Sequence, residues 1–171
     1  MNRRINKTSY IAKGGLLTAL GVIFVYLSTL LPVNKLYLLA MASSIIPLSV
    51  ITTNIQTSVV VYAATALLSL LVCGIKIPVI LYAVFFGIYG IVKYYIEKLN
   101  KIYIEILLKL MFFNLILLIL TYIYKVLFTV IPAVPLPIYL LVIFAEIVFL
   151  IYDYVLTLFI SRVNNYFSKY R

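Results

Sequence analysis

The sequence predicts an all-α integral membrane protein, a bundle of six transmembrane helices with both termini in the cytoplasm. Composition is the first reason: 66% of the 171 residues are hydrophobic and 11% charged, where a soluble domain has about half and about a quarter. The second is a mean hydropathy of +1.21. The third is the succession of apolar runs from Gly14 almost to Ile160, each near the ~20 residues that cross ~30 Å of hydrocarbon. In water such a chain would expose far more apolar surface than folded proteins tolerate. Its runs lack the period-2 alternation of a membrane β-barrel. No segment is left over for a soluble domain, so residues 1–171 read as one transmembrane domain.

The first span is 14–31, stopped by Pro32-Val33-Asn34-Lys35. Arg3, Arg4, Lys7 and Lys13 before it resemble the start of a signal peptide. No small-x-small cleavage site follows, and the chain leads straight into another span, so this is a retained helix. The second span, 36–51, is short and carries Pro47; the uncharged polar break 52–57 separates it from the third, 58–73, which ends at Gly74. The fourth, 78–95, starts at Pro78, a favoured first-turn residue. Lys93, Glu97, Lys98, Lys101, Glu105 and Lys109 then form a charged stretch without Pro or Gly. It reads as a helical interfacial connector with Glu97–Lys101 and Glu105–Lys109 at i,i+4 spacing. The fifth span is 106–124 and the sixth 138–160. Between them lies KVLFTVIPAVPLP, residues 125–137.

Six spans put both termini on one side together with Arg3, Arg4, Lys7, Lys13, Lys93, Lys98, Lys101, Lys109, Arg162, Lys169 and Arg171. Only Lys35, Lys76 and Lys125 of the 14 basic residues fall opposite. This is the positive-inside pattern, and merging the second and third spans would destroy it. The net charge of +10 therefore reflects membrane orientation, and no nucleic-acid partner is expected. With no His, one Cys and four acidic residues, His-centred nucleophile and metal sites are excluded. The chain reads as a non-enzyme without metal or cofactor.

Two kinds of residue stand out. Small residues on one helix face allow close approach of another helix in lipid. On the first helix Gly15 and Ala19 stand four apart, beside a second stripe of Gly14, Thr18, Gly21 and Ser28. These faces serve either packing inside the bundle or docking of a partner, with Gly14, Gly15, Thr18 and Ala19 as the docking candidates. Ala83, Gly87 and Gly90 on the fourth helix suit internal packing. Ionisable residues inside a membrane are functional candidates by default. Glu146 and Asp153 lie two turns apart on the sixth helix. Asp153 is expected to pair with Lys109 or Lys93. Glu146, in the outer half, is either a ligand residue or a partner of Lys125 or Lys35. Asn114 suits an interhelical hydrogen bond. Thr121 is positioned for a pocket, and Tyr37, Tyr82, Tyr122, Tyr124 and Tyr139 cluster towards the outer ends, where a planar ligand would stack. Most other tyrosines serve as interfacial anchors. The apolar loop 125–137, stiffened by Pro132, Pro135 and Pro137, reads as a lid or an interfacial segment.

Small size, six helices, internal termini and the first-helix segment KGGLLTALGVIFVYLS together resemble the substrate-binding S components of energy-coupling-factor (ECF) vitamin transporters. In that family, small residues four apart on the first helix pack on a transmembrane coupling subunit; Gly15 and Ala19 match the spacing, with Gly in place of the usual Ala. The resemblance implies a plasma-membrane protein that takes a small-molecule substrate outside, docks on the coupling subunit and its ATPase subunits, and hydrolyses nothing itself. No ligand-specific motif is present, and the cobalt and nickel branch, with its N-terminal His, does not fit. Rod-shape-type scaffolds of cell-wall assembly are an alternative, as is a small secondary transporter relaying protons through Glu146 and Asp153.

The topology is testable by labelling. With Cys73 replaced, a cysteine beside Lys98 should react only from the cytoplasmic side and one beside Pro135 only from outside; reaction of both from one side would overturn the six-span count.

Overall fold

The computed structural model describes the backbone of residues 2–99, 101–127 and 138–169, and the side chains of 8–99, 101–126 and 139–166. Six helices stand among them: α1 Asn2–Leu30, α2 Lys35–Thr52, α3 Ile55–Cys73, α4 Ile77–Glu97, α5 Ile102–Leu127 and α6 Ile138–Lys169. Each is long and apolar enough to cross a membrane. Large apolar side chains such as Leu16, Leu71, Leu118 and Phe144 lie exposed, which suits a hydrocarbon surrounding.

The helices overrun the apolar windows at their ends, because polar residues extend a helix as readily as apolar ones. The expected interfacial connector is correspondingly shorter. α4 continues to Glu97, Lys98 and Leu99 form a turn, and α5 starts at Ile102. Elsewhere the breaks follow local chemistry. Asn34 adopts the left-handed conformation (φ 64°) before α2. The Asn54 side chain accepts the Thr57 N–H at 2.7 Å, capping α3. Gly74 ends α3 at φ 71°, a backbone state that favours glycine. The Lys125–Pro137 segment expected as a lid lies outside the described residues from 128 to 137; Lys125 itself is in α5.

The chain forms two compact units, residues 1–95 with 160–171, and residues 96–159. In the first, α1 lies along both α2 and α3. Leu17, Ile45, Ile46 and Val61 form its core, with Phe24, Leu48, Tyr62 and Ile91 packed around them. Gly21 lets α1 approach α3: a Cβ there would come within 2.9 Å of Thr65. Gly90 faces Ile46 and Pro47 of α2, with 3.0 Å to a built Cβ. In the second unit the Phe113 and Phe149 rings stack at 4.4 Å between centroids.

α4 contains a π-helical turn over Tyr82–Phe86, which shifts the backbone hydrogen-bond register. Carbonyls at this turn receive donors from neighbouring helices. The Tyr62 hydroxyl of α3 donates to Ala83 O at 2.8 Å, and Ser43 of α2 donates to Phe86 O at 2.6 Å. In lipid a displaced carbonyl has no other source of donors. Tyr62 reaches its acceptor by crossing Gly87, where a Cβ would stand 2.5 Å from the ring.

Gly87→Ala should therefore displace the Tyr62 ring and lower stability by about 1–3 kcal/mol, the range for overpacking. Gly15→Ala, whose Cβ meets nothing within 4 Å, should hold or raise stability by up to ~1 kcal/mol through helix propensity. Thermal unfolding of the two variants in detergent measures the contrast, and equal losses would contradict it.

Candidate functional site

α1 presents its small residues in two stripes, and the structure uses them differently. Gly14 faces α3, where a Cβ would stand 3.1 Å from Thr57 Cγ2, and Thr18 beside it is only 9% exposed. With Gly21 they form the contact between α1 and α3. Gly15 and Ala19 are exposed. All four docking candidates line one open groove of about 570 Å³, walled on the α3 side by Val60, Ala64 and Leu68. Gly15 is the place where the groove floor falls to bare backbone. The α3 wall was not foreseen from sequence, although Val60, Ala64 and Leu68 repeat at the i,i+4 spacing of one helix face.

The second unit holds a polar seam between α5 and α6. Lys109 Nζ lies 2.8 Å from Asp153 Oδ2 and 3.2 Å from Glu97 Oε1. The lysine side chain is 7% exposed, Asp153 14% and Glu97 30%. Lys109 thus turns to Glu97 and Asp153 rather than to Glu105 one turn before it. Towards the other end, Asn114 Nδ2 donates to Glu146 Oε1 at 2.9 Å and to Leu110 O at 3.0 Å. Glu146 takes Asn114 as its partner, where the sequence had offered Lys125 or Lys35. The stacked Phe113 and Phe149 come from the same two helices. The signal for this seam was in the spacing. Lys109 and Asn114 are five apart on one helix and Asp153 and Glu146 seven apart on the other, so antiparallel helices bring the pairs roughly level at 1.5 Å rise per residue.

The ligand candidates are divided between the units. Tyr37 and Tyr82 belong to the first, where Tyr82 is wholly buried and Tyr37 is 68% exposed. Thr121, Tyr139 and Glu146 belong to the second. Thr121 is exposed and bonds back to Leu117 O at 2.7 Å, and Tyr139 is also exposed. Lys93 lies in the first unit and is buried. Among the described residues no three Cys, Asp or Glu side chains gather as a metal-holding group. No family model matches the chain, and neither the curated proteins nor the solved structures yield a match.

The two acids of the lysine pair make a prediction. Lys109→Met leaves Asp153 and Glu97 without their shared cation. Stability should fall by about 3 kcal/mol, the lower part of the range for a broken buried pair, because Glu97 keeps partial exposure. Glu146→Gln retains an acceptor for Asn114 and should change stability by under about 1 kcal/mol. Denaturation of the two variants in mixed micelles compares them; a neutral Lys109→Met would remove the lysine from the fold's support.

Proposed function

We propose that this chain is a multi-pass plasma-membrane subunit of an uptake system of the ECF kind. It captures a small molecule outside the cell and docks on a transmembrane coupling subunit driven by ATPase subunits. One observation carries the reading: the Gly15–Ala19 stripe stays open while the neighbouring Gly14–Thr18–Gly21 stripe is occupied by α3. Helices associate in lipid through close packing and not through hydrophobic expulsion. A groove with a backbone floor and aliphatic walls offers a partner helix a large contact area at short range. The ECF resemblance of the first helix points to the same two residues.

A second reading, a non-transporting scaffold, is favoured by the engagement of Glu146 with Asn114. It uses the same groove and needs no substrate.

The docking role is tested by co-purification with a coupling subunit. The Gly15→Leu/Ala19→Leu double variant should lose at least about tenfold in recovered partner while remaining monodisperse, since filling the floor removes the close approach; tenfold is ~1.4 kcal/mol. Undiminished assembly would remove docking from this face. Small molecules retained by the purified protein, identified by mass spectrometry, separate a substrate-binding subunit from a scaffold.

A further inference from the structure

An acid inside hydrocarbon is retained only where something offsets its charge. In the seam between α5 and α6 two acids have that offset, because Asp153 and Glu97 share the ammonium group of Lys109. Glu146 does not. It stands seven residues into the apolar span of α6, which begins at Tyr139, and so about 10 Å along the helix axis. Its Oε1 accepts the Asn114 amide at 2.9 Å. Among the described residues Oε2 takes no hydrogen bond, and no lysine or arginine comes within ion-pair distance of either oxygen. A neutral amide orients a carboxylate but leaves its charge uncancelled. Glu146 is only half-buried, so a group from outside the chain can reach it.

The surroundings indicate what kind of group. Met111 and Leu118 lie three residues before and four after Asn114, and Ile143 and Leu150 stand in the same relation to Glu146. These offsets place them on the same sides of α5 and α6 as the polar pair, and all four are exposed. On α5 the stripe continues to Leu107 and Tyr122, also exposed, about 22 Å from end to end. We propose that this face seats a transmembrane helix of another protein, one that carries a lysine or arginine at the level of Glu146. The cation donates to the free Oε2 in a charge-assisted hydrogen bond, and the apolar remainder of the helix packs along the stripe. A small organic cation would cancel the charge but leave the stripe bare. A second copy of this chain lacks the cation. No Lys or Arg occurs in 14–34, 36–75, 77–92, 110–124 or 126–161. Lys35, Lys76 and Lys125 stand at helix ends, where long basic side chains reach for the headgroups, and the remaining basic residues fall on the cytoplasmic side by the positive-inside pattern. The proposal rests on α5 and α6 alone and is independent of docking at the α1 groove.

The test measures energy transfer between the full chain, labelled and reconstituted in phosphatidylcholine vesicles, and synthetic leucine-rich helices of about 20 residues. One helix carries a single arginine at the level of Glu146, and the other has leucine there. The arginine helix should associate with the wild type at least about tenfold more tightly than the leucine helix. Glu146→Gln, which keeps an acceptor for Asn114, should abolish the preference. The position is read separately with dicyclohexylcarbodiimide, which adds to protonated carboxyl groups in apolar surroundings. Mass spectrometry should show the arginine helix, and not the leucine helix, slowing modification of Glu146. Equal association of the two helices with the wild type, or a preference that survives Glu146→Gln, overturns the proposal. Protection of Glu146 by benzylamine equal to that by the arginine helix overturns it in favour of a small cation. Energy transfer between two labelled copies of the chain that disappears in Glu146→Gln overturns it in favour of self-association.

Discussion

Hydrocarbon offers no hydrogen bonds, and the rest of this structure depends on that constraint. Every backbone polar group in the apolar spans must find its partner within the protein. The consequence is clearest at the π turn of α4. There the register of the helix slips, and Tyr62 and Ser43 from two other helices supply donors to Ala83 O and Phe86 O. The same demand shapes the α5–α6 seam, where one ammonium group serves two carboxylates and one amide serves a carboxylate and a carbonyl. These polar contacts fix rotation and register between helices whose apolar faces would otherwise slide with little penalty.

Small residues do the complementary task of setting distance. Gly21, Gly87 and Gly90 each stand where a side-chain carbon would meet a neighbouring helix or ring at 3.0 Å or less. Gly15 is different, because nothing opposes it. Two stripes of small residues, one residue out of phase on one helix, thus end in different environments. The face that meets α3 builds the fold, and the adjoining face remains available to another molecule.

Much of the fold was legible in the sequence because transmembrane spans are a matter of length and apolarity. The break at Asn54, the stop at Gly74 and the start near Pro78 all follow from residues with known backbone preferences. The helix ends were less legible, since the charged run from Lys93 to Lys109 is as good a helix former as the apolar stretch beside it. The π turn was not legible at all: Tyr82–Phe86 contains neither Pro nor Gly, and the slip is explained only by donors 21 and 43 residues away in sequence. At the candidate site, the spacing of Gly15 and Ala19 was readable but which stripe α3 would occupy was not, because composition does not reveal helix rotation. The Glu146 partner was missed for a related reason. Asn114 carries no charge, and a search for countercharges passes over it.

The Phe113–Phe149 stack sets a boundary within the second unit. The rings lie nearly parallel, 7° apart, and are 8% and 2% exposed. In sequence Phe113 falls between Lys109 and Asn114, and Phe149 between Glu146 and Asp153. Proton transfer needs a continuous file of groups that can both give and take a proton, and a pair of phenyl rings offers none. Glu146 bonds to Asn114 and Asp153 to Lys109, and the phenyl rings that fall between them along the two helices offer no station to a proton passing from one acid to the other.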